Sequence, residues 1–502
     1  MSAGAARRPL IHELVARQAA LTPDAEAVVA GRERLSYGEL EEAAQLLAGH
    51  LRGLGAGRET LVGICLGRSP WMLVAMLAVL KAEAAYVPID PAFPLDRRQF
   101  ILRDSGAELI VTEEALRDKW PDRPCTVVSL DRDWDRIAAG RPWSAAGTGE
   151  GTGGDAHLAY ALYTSGSTGR PKGVAVEHRS AAAFLAWALE CFTPDELRYT
   201  LASTSMCFDL SVFELFAPLA VGGTVVLAET VFHLPVAAAD RPVTLVNTVP
   251  SLLLDLLPCG ALPPSVVTVN LAGEALPAAL ARQLYATGTV RKVYNLYGPS
   301  EDTTYSTWSL VGRDVDKPSI GRPVTGTTAH VLDAEGRLVV NGEAGELHLG
   351  GDGLARGYLG RPGLTAERFV PDPFSDRPGA RLYRTGDLAR WLPDGELDYL
   401  GRADQQVKVR GLRIEPGEIE QVLMEHPDVR RAAVLARSGS ADETGLVAYV
   451  VSGESADLSS VRRFLRDRLP SYMVPELFVP VASIPLTVTG KVDVGALPAA
   501  AS

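Results

Sequence analysis

The chain has 502 residues, 47% of them hydrophobic, 22% charged and 7% aromatic, a composition that excludes a disordered or fibrous protein. This length exceeds what a single hydrophobic core fills, so two or more domains are expected. Lys and Arg number 49 against 61 Asp and Glu, a formal net charge of −12; that is the wrong sign for a general binder of the nucleic-acid backbone.

In chain order, Arg7 and Arg8 precede no apolar stretch of signal-peptide length. Ser36 and Glu39 form a capping box, after which Leu40, Ala44, Leu47, Leu51 and Leu54 recur at helical spacing. A buried strand is expected at Leu61–Cys65. The longest apolar run, Trp71–Leu80, is stopped by Lys81 and is far too short to span a membrane. Further short apolar runs at Glu108–Thr112, Thr126–Leu130, Leu158–Leu162, Thr224–Leu227, Val243–Asn247 and Val266–Leu271 predict a large parallel or mixed sheet in an α/β domain. Ser144–Ala156 is a low-complexity stretch dominated by Gly, Ala and Thr that reads as a surface loop.

Beyond about residue 320, turns at Asp333–Gly336 and Pro393–Gly395 separate short β-like pieces, and the last hundred residues read as a separate unit. That unit should hold a strand at Leu446–Val451 and an amphipathic helix at Leu458–Leu469. A boundary is expected near residue 404. The five cysteines, Cys65, Cys125, Cys191, Cys207 and Cys259, make no C-x-x-C pair and have no histidine at metal spacing; they read as reduced core thiols of a cytoplasmic protein with no membrane partner.

Tyr163–Gly173 (YTSGSTGRPKG) follows an apolar strand and gathers hydroxyls and glycines into one loop. Such a loop suits polyphosphate, because glycines let phosphate oxygens approach backbone N–H groups. It is not a P-loop of the usual nucleotide hydrolases, which needs Ser or Thr directly after the lysine, whereas Lys172 lies between Pro171 and Gly173.

From this loop outward the chain resembles the adenylate-forming superfamily, and within it the amino-acid-activating adenylation domains of nonribosomal peptide synthesis. Ten ordered motifs carry the resemblance over nearly the whole chain: Leu35–Leu40, Leu80–Pro94, the glycine loop, Phe208–Phe216 (FDLSVFELF), Asn295–Glu301 (NLYGPSE), Gly345–Leu359, Tyr383–Leu388 (YRTGDL), Gly401–Glu420, Leu469–Pro475 and Pro485–Asp493 (PLTVTGKVD). Glu83, where the family usually has Gly, and Ser167, where Thr is common, depart from the pattern.

The resemblance implies a large N-terminal domain, residues 1–403, of layered α/β sheets plus a distorted β-barrel. It also implies a small mobile α+β lid, residues 404–502, hinged at Asp404. For ATP it implies Thr164, Ser165, Thr168 and Lys172 on the phosphates, Asn295 and Tyr297 at the base, Asp387 on the ribose, and Ser300, Tyr399 and Arg402 among the remaining contacts. Glu301 resembles the Mg²⁺ ligand, a hard carboxylate suited to a cation that bridges phosphates. Lys491 resembles the catalytic lysine, whose charge offsets the negative charge that gathers when a carboxylate attacks the α-phosphate. Rotation of the lid about Asp404 would present Lys491 for adenylation and Val407–Arg413 for thioester formation.

Asp209 matches the carboxylate that pairs with a substrate α-ammonium, which favours an amino acid over the fatty or aryl acids of acyl-CoA synthetases and luciferases. By resemblance the side-chain pocket is Leu210, Phe213, Asn247, Asn270, Ala272, Leu296, Thr304 and Tyr305. No charge faces the substrate side chain, and the bulk of Phe213, Leu296 and Tyr305 leaves room for a small one. Alanine is expected first, glycine next, then serine or a small nonproteinogenic amino acid. The chain ends soon after Lys491 with no carrier motif, and reads as a free-standing enzyme. Its implied partner is a separate acyl or peptidyl carrier protein, offering either a phosphopantetheine thiol or the amine of an aminoacyl group it carries. A small MbtH-like activator is a further implied partner. An acyl- or aryl-CoA synthetase of the same superfamily is the alternative reading.

Overall fold

The computed structural model describes residues 8–120, 125–142, 155–166, 169–404, 406–438, 444–452, 457–485 and 492–498. Contacts divide the chain into two units: residues 1–90, 102–162 and 173–403 form the first, and residues 91–101, 163–172 and 404–502 the second.

The first unit is built on two large, mainly parallel sheets. One has nine strands, and its centre runs in the order Lys292–Tyr297, Thr268–Ala272, Leu245–Thr248, Tyr199–Ala202, Thr224–Leu227, Glu26–Ala30. The other has seven, with Ala85–Pro88, Leu61–Cys65, Leu109–Thr112 and Thr126–Ser129 parallel side by side. Most of these strands are buried along nearly their whole length, which is why they appear in the sequence as unbroken apolar runs rather than alternating ones; Thr126–Ser129 is buried only at its end. The main core joins strands of both sheets to the helices Tyr37–Gly53, Pro70–Lys81, His178–Cys191 and Leu210–Leu219. A second core covers the opposite face of the nine-stranded sheet, with helices Pro250–Leu256 and Ala278–Ala286.

The capping box forms as expected, with the Ser36 hydroxyl accepting from the Glu39 N–H and the Glu39 carboxylate accepting from the Ser36 N–H. Lys81 does more than end the Trp71–Leu80 run. It is itself buried, its ammonium 2.6 Å from Glu41 on the helix Tyr37–Gly53. The unusual Glu83 sits at φ +61 just past the end of the helix Pro70–Lys81, a left-handed conformation that glycine adopts without penalty. In this chain Arg58 and Arg52 lie 3.2 and 3.7 Å from its carboxylate. Ser167 and most of the Ser144–Ala156 stretch lie outside the described residues.

The segment expected as a distorted barrel contains a five-stranded antiparallel sheet in which Arg381–Trp391 pairs with Gly345–Gly351, Phe369–Pro371 and Leu397–Arg402. In the second unit, Val429–Ser438 and Thr444–Ser452 pair antiparallel, and Leu477–Pro480 joins them in parallel. The helices Pro416–Met424 and Leu458–Arg466 share their core. The expectation that all cysteines are core thiols is corrected: Cys65 and Cys207 are buried, Cys125 and Cys191 half-buried, and Cys259 exposed after a short helix end. Among the described residues no helix is long and apolar enough to cross a membrane.

Candidate active site

Ligands of open α/β sheets bind beyond the carboxyl ends of parallel strands, where the connections reverse direction. In the nine-stranded sheet the strand Tyr199–Ala202 is flanked by Thr224–Leu227 on one side and Leu245–Thr248 on the other, and that reversal marks the place. Widely separated sequence positions converge there. Asp209 follows the first of these strands, Asn247 lies near the end of the next, Asn270 and Ala272 end a third, and Leu296 and Tyr297 end a fourth.

Register fixes which side chains share a face. Asn247 pairs with Asn270, and Ala272 with Leu296, so these four point to one side of the sheet, toward the main core. Asn295 and Tyr297 point to the other side. Phe213 and Tyr305 join the first group, their ring centroids 6.1 Å apart, and Leu210 packs against the same cluster. Thr304 donates to the Asp209 carbonyl at 3.2 Å, and Tyr305 donates to Asn247 Oδ1 at 2.6 Å. All eight positions of the expected pocket are buried except Leu210, which is half-buried. Burial holds the Tyr305 hydroxyl well above the usual phenol range, so it stays a donor. Among the described residues, neither end of the Asn270 amide meets a hydrogen-bond partner.

Asp209 is half-buried at the entry to the helix Leu210–Leu219, and its carboxylate accepts from the Ser300 hydroxyl. Ser300, expected among the ATP contacts, therefore bonds to the group expected to hold the α-ammonium. The backbone here is strained. Thr303 and Thr304 sit at φ +49 and +74, left-handed values that are costly for β-branched residues and cluster at functional sites. The Thr303 hydroxyl holds the bend by donating to the Gly353 carbonyl at 2.6 Å.

Gly298 lets the chain return close to itself, since a Cβ there would lie 2.4 Å from the Thr304 carbonyl oxygen and 2.7 Å from Tyr305 Cα. Gly298→Ala is expected to cost about 1–3 kcal/mol, the usual range for overpacking. Urea unfolding checks this, with Gly312→Ala, whose added Cβ meets nothing within 4 Å, as the neutral control.

On the other face, Asn295 donates to the Ser319 carbonyl at 2.6 Å. Asp387 is buried and gathers three donors: the Tyr297 hydroxyl, Arg402 at 2.8 Å and, more distantly, Tyr399 at 3.5 Å. Its strand pairs antiparallel with the one carrying Tyr399 and Arg402, and Asp387 sits directly opposite Arg402. The geometry thus joins Tyr297, Asp387, Tyr399 and Arg402 into one cluster.

Glu301 is fully buried and accepts from the Tyr358 hydroxyl at 2.7 Å. Beside it, neither carboxylate oxygen of Asp302 has a hydrogen-bond partner at good geometry among the described residues, and burial, against a smaller opposing pull from the Ser306 hydroxyl, pushes that carboxyl up to about 7. Tyr358 carries no sequence signal for the site and becomes legible only once folding places it beside Glu301. Hard carboxylate oxygens of this kind fit Mg²⁺. No group of three or more His, Cys, Asp or Glu gathers around a common point among the described residues, so a cation held by Glu301 would take most of its ligands from water and phosphate oxygens.

In the second unit, the Ser165 hydroxyl donates to the Arg413 carbonyl at 2.7 Å, and the Gly166 N–H to Glu418 at 3.3 Å. Glu418 is buried and paired with Arg97. Thr164 is half-buried, and Lys172 is buried at the start of the strand Lys172–Glu177. Asp404 is exposed, accepting from the Gln406 N–H at 3.2 Å. Val407–Arg413 falls on a hairpin whose turn residues, Arg410 and Gly411, both have positive φ. Thr168 and Lys491 lie outside the described residues.

Residues 15–359 match the AMP-binding enzyme family and residues 418–491 the AMP-binding enzyme C-terminal domain. The chain is 50% identical to a component of the linear gramicidin synthase of Brevibacillus parabrevis over 98% of its own length, and 46% identical to the AMB antimetabolite synthetase AmbB of Pseudomonas aeruginosa, again over 98%. It spans 10% of the first relative and 39% of the second. An NRPS protein containing adenylation and PCP domains, solved with a vinylsulfonamide inhibitor, superposes with a TM-score of 0.83 at 26% identity, covering 97% of this chain and 84% of that one.

Proposed function

This chain belongs to the AMP-binding enzyme family, and from that premise we propose that it uses ATP to activate a small amino acid as the aminoacyl adenylate, releasing pyrophosphate. It then passes the aminoacyl group to a carrier protein in natural-product biosynthesis. The observation that supports the amino-acid reading is Asp209, a half-buried carboxylate whose backbone carbonyl accepts from Thr304, the other expected pocket positions being uncharged. A carboxylate so placed pairs with an α-ammonium, while the uncharged wall would leave a charged substrate side chain unpaired. Phe213, Leu296 and Tyr305 fill the pocket, which favours alanine, then glycine, then serine or another small amino acid.

The roles follow from the chemistry of each group. Asn295 and Tyr297 receive the adenine and Asp387 the ribose hydroxyls, with Tyr399 and Arg402 holding the Asp387 carboxylate. Thr164, Ser165, Thr168 and Lys172 serve the phosphates. Mg²⁺ on Glu301 would neutralise phosphate charge. Lys491 supplies the positive charge needed where carboxylate and α-phosphate meet. Residues 404–502 act as a lid, hinged at Asp404, for the two half-reactions. The acceptor is a phosphopantetheine thiol or the amine of a carrier-bound aminoacyl group, and a small MbtH-like protein is a candidate activator.

Amino-acid-dependent ATP–pyrophosphate exchange tests this without a carrier. Alanine is expected to drive strong exchange, glycine less by about 10–200-fold at most, since a hydrophobic pocket separates one carbon by only ~1–3 kcal/mol. Exchange driven by fatty or aryl acids and by no amino acid would overturn the reading in favour of a CoA synthetase.

A further inference from the structure

Glu214 lies in the second turn of the helix Leu210–Leu219, wholly buried, directly after the pocket residue Phe213. Four donors meet its carboxylate. The backbone N–H groups of Ser203 and Thr204 reach Oε2 at 2.9 and 3.0 Å. The Thr204 hydroxyl and Asn247 Nδ2 reach Oε1 at 2.5 and 3.1 Å. Asn247 in turn accepts from the Tyr305 hydroxyl at 2.6 Å. A buried glutamate therefore stands one residue behind the pocket wall, at the root of a chain that ends on Tyr305.

The orientation of this chain is not arbitrary. The two ends of an asparagine amide have nearly the same shape, and only their hydrogen-bond roles distinguish them. Burial raises the Glu214 carboxyl above the ordinary range, but the groups placed at its two oxygens are all donors, so both oxygens accept. Glu214 therefore holds Asn247 Nδ2 toward itself and Oδ1 toward Tyr305, and the Tyr305 hydroxyl has to donate. The Tyr305 ring, packed among Phe213, Phe184 and Trp187, is tied down at its polar end by that bond.

We infer that Glu214 is a positioning residue of the amino-acid pocket, which fixes the amide of Asn247 and through it the ring and hydroxyl of Tyr305, and so sets the shape the substrate side chain meets. This rests on the amino-acid reading of the pocket.

Glu214→Gln keeps the side-chain shape and can keep its carbonyl on the Ser203 and Thr204 N–H groups. Its amide nitrogen then faces Asn247 Nδ2, donor against donor, and Asn247 has to turn over, making Tyr305 the acceptor. In pyrophosphate exchange, E214Q is expected to raise the KM for alanine about tenfold, the scale of one mispaired buried hydrogen bond, with kcat and the KM for ATP within about twofold. In a Tyr305→Phe background, which lacks the end of the chain, E214Q should change the alanine KM by less than about twofold. The same factor in both backgrounds, or no change in either, overturns the inference. If E214Q does not fold, Glu214→Asp, which keeps the charge but withdraws it from Asn247 by one methylene, has to produce the same pattern.

A ligand-free readout separates this inference from the amino-acid reading. In protein labelled with ¹³C-tyrosine, the hydroxyl-bearing carbon of Tyr305, assigned by its loss in Y305F, should shift in E214Q as its hydroxyl turns from donor to acceptor. An unshifted signal overturns the inference even if exchange with amino acids succeeds. A shifted signal supports it even if wild-type protein activates no amino acid and the functional reading falls.

Discussion

Asp209→Asn is expected to raise the KM for the amino acid by about thirtyfold or more, on the order of the 2–5 kcal/mol lost when one partner of a desolvated charge pair is removed. It is expected to leave the ATP KM and the melting temperature nearly unchanged. The selectivity of the effect comes from where Asp209 stands. It immediately precedes the helix Leu210–Leu219, and a helix N-terminus carries partial positive charge that repels an ammonium group. The carboxylate has to overcome this before it can hold a cation at all, so a neutral amide of the same size fails. Structure is spared because asparagine can still accept from the Ser300 hydroxyl and because Thr304 bonds to the backbone carbonyl of residue 209, not to its side chain. Exchange kinetics at varied amino acid and ATP, with a thermal melt, check the prediction. An unchanged amino-acid KM would remove Asp209 from substrate binding and reopen the acyl and aryl alternatives.

Much of the fold could be read along the chain because a parallel sheet buried on both faces leaves a plain signal. Leu61–Cys65 and Thr224–Leu227 form strands with the expected bounds, whereas Val243–Asn247 begins two residues later, at Leu245, and continues to Thr248. The apolar period does not distinguish the first residues of a strand from the loop that leads into it, and Val243 is buried as deeply as the strand itself. The pocket positions were legible only through motif resemblance. Nothing in local spacing says that Asn247, Asn270 and Leu296 share a face; that follows from strand order and register, which are long-range facts.

The residues missed share one property: each acts through a partner distant in sequence. Tyr358 matters because folding brings its hydroxyl to Glu301, 57 positions earlier. Glu214 matters because it meets Asn247, 33 positions later. Inside the motif FDLSVFELF, Glu214 looks like any acid on a helix, and the usual expectation for a glutamate is solvent exposure. The strain at Thr303 and Thr304 was equally hidden, since no residue there is a glycine and only the close return past Gly298 requires the bend.

Lys491→Ala is expected to lower the kcat of pyrophosphate exchange by about 10²–10³, the scale of removing one group aimed at charge developing in a transition state. The contrast with Asp209→Asn lies in which constant moves. If Asp209 holds the amino acid before and during reaction, as proposed, its loss appears in KM. A lysine that acts on the charge building up between the attacking carboxylate and the α-phosphate contributes most at the transition state, so its loss appears in kcat. The proposed rotation about Asp404 adds a sharper condition. If Lys491 serves only the first half-reaction, K491A supplied with preformed aminoacyl adenylate should load a carrier protein at close to the wild-type rate. Loss of both half-reactions together would mean that Lys491 supports the structure of the lid rather than the chemistry of adenylation. Loss of neither would assign the charge-stabilising role to another cation, with Lys172, buried at the start of its strand, the first to test.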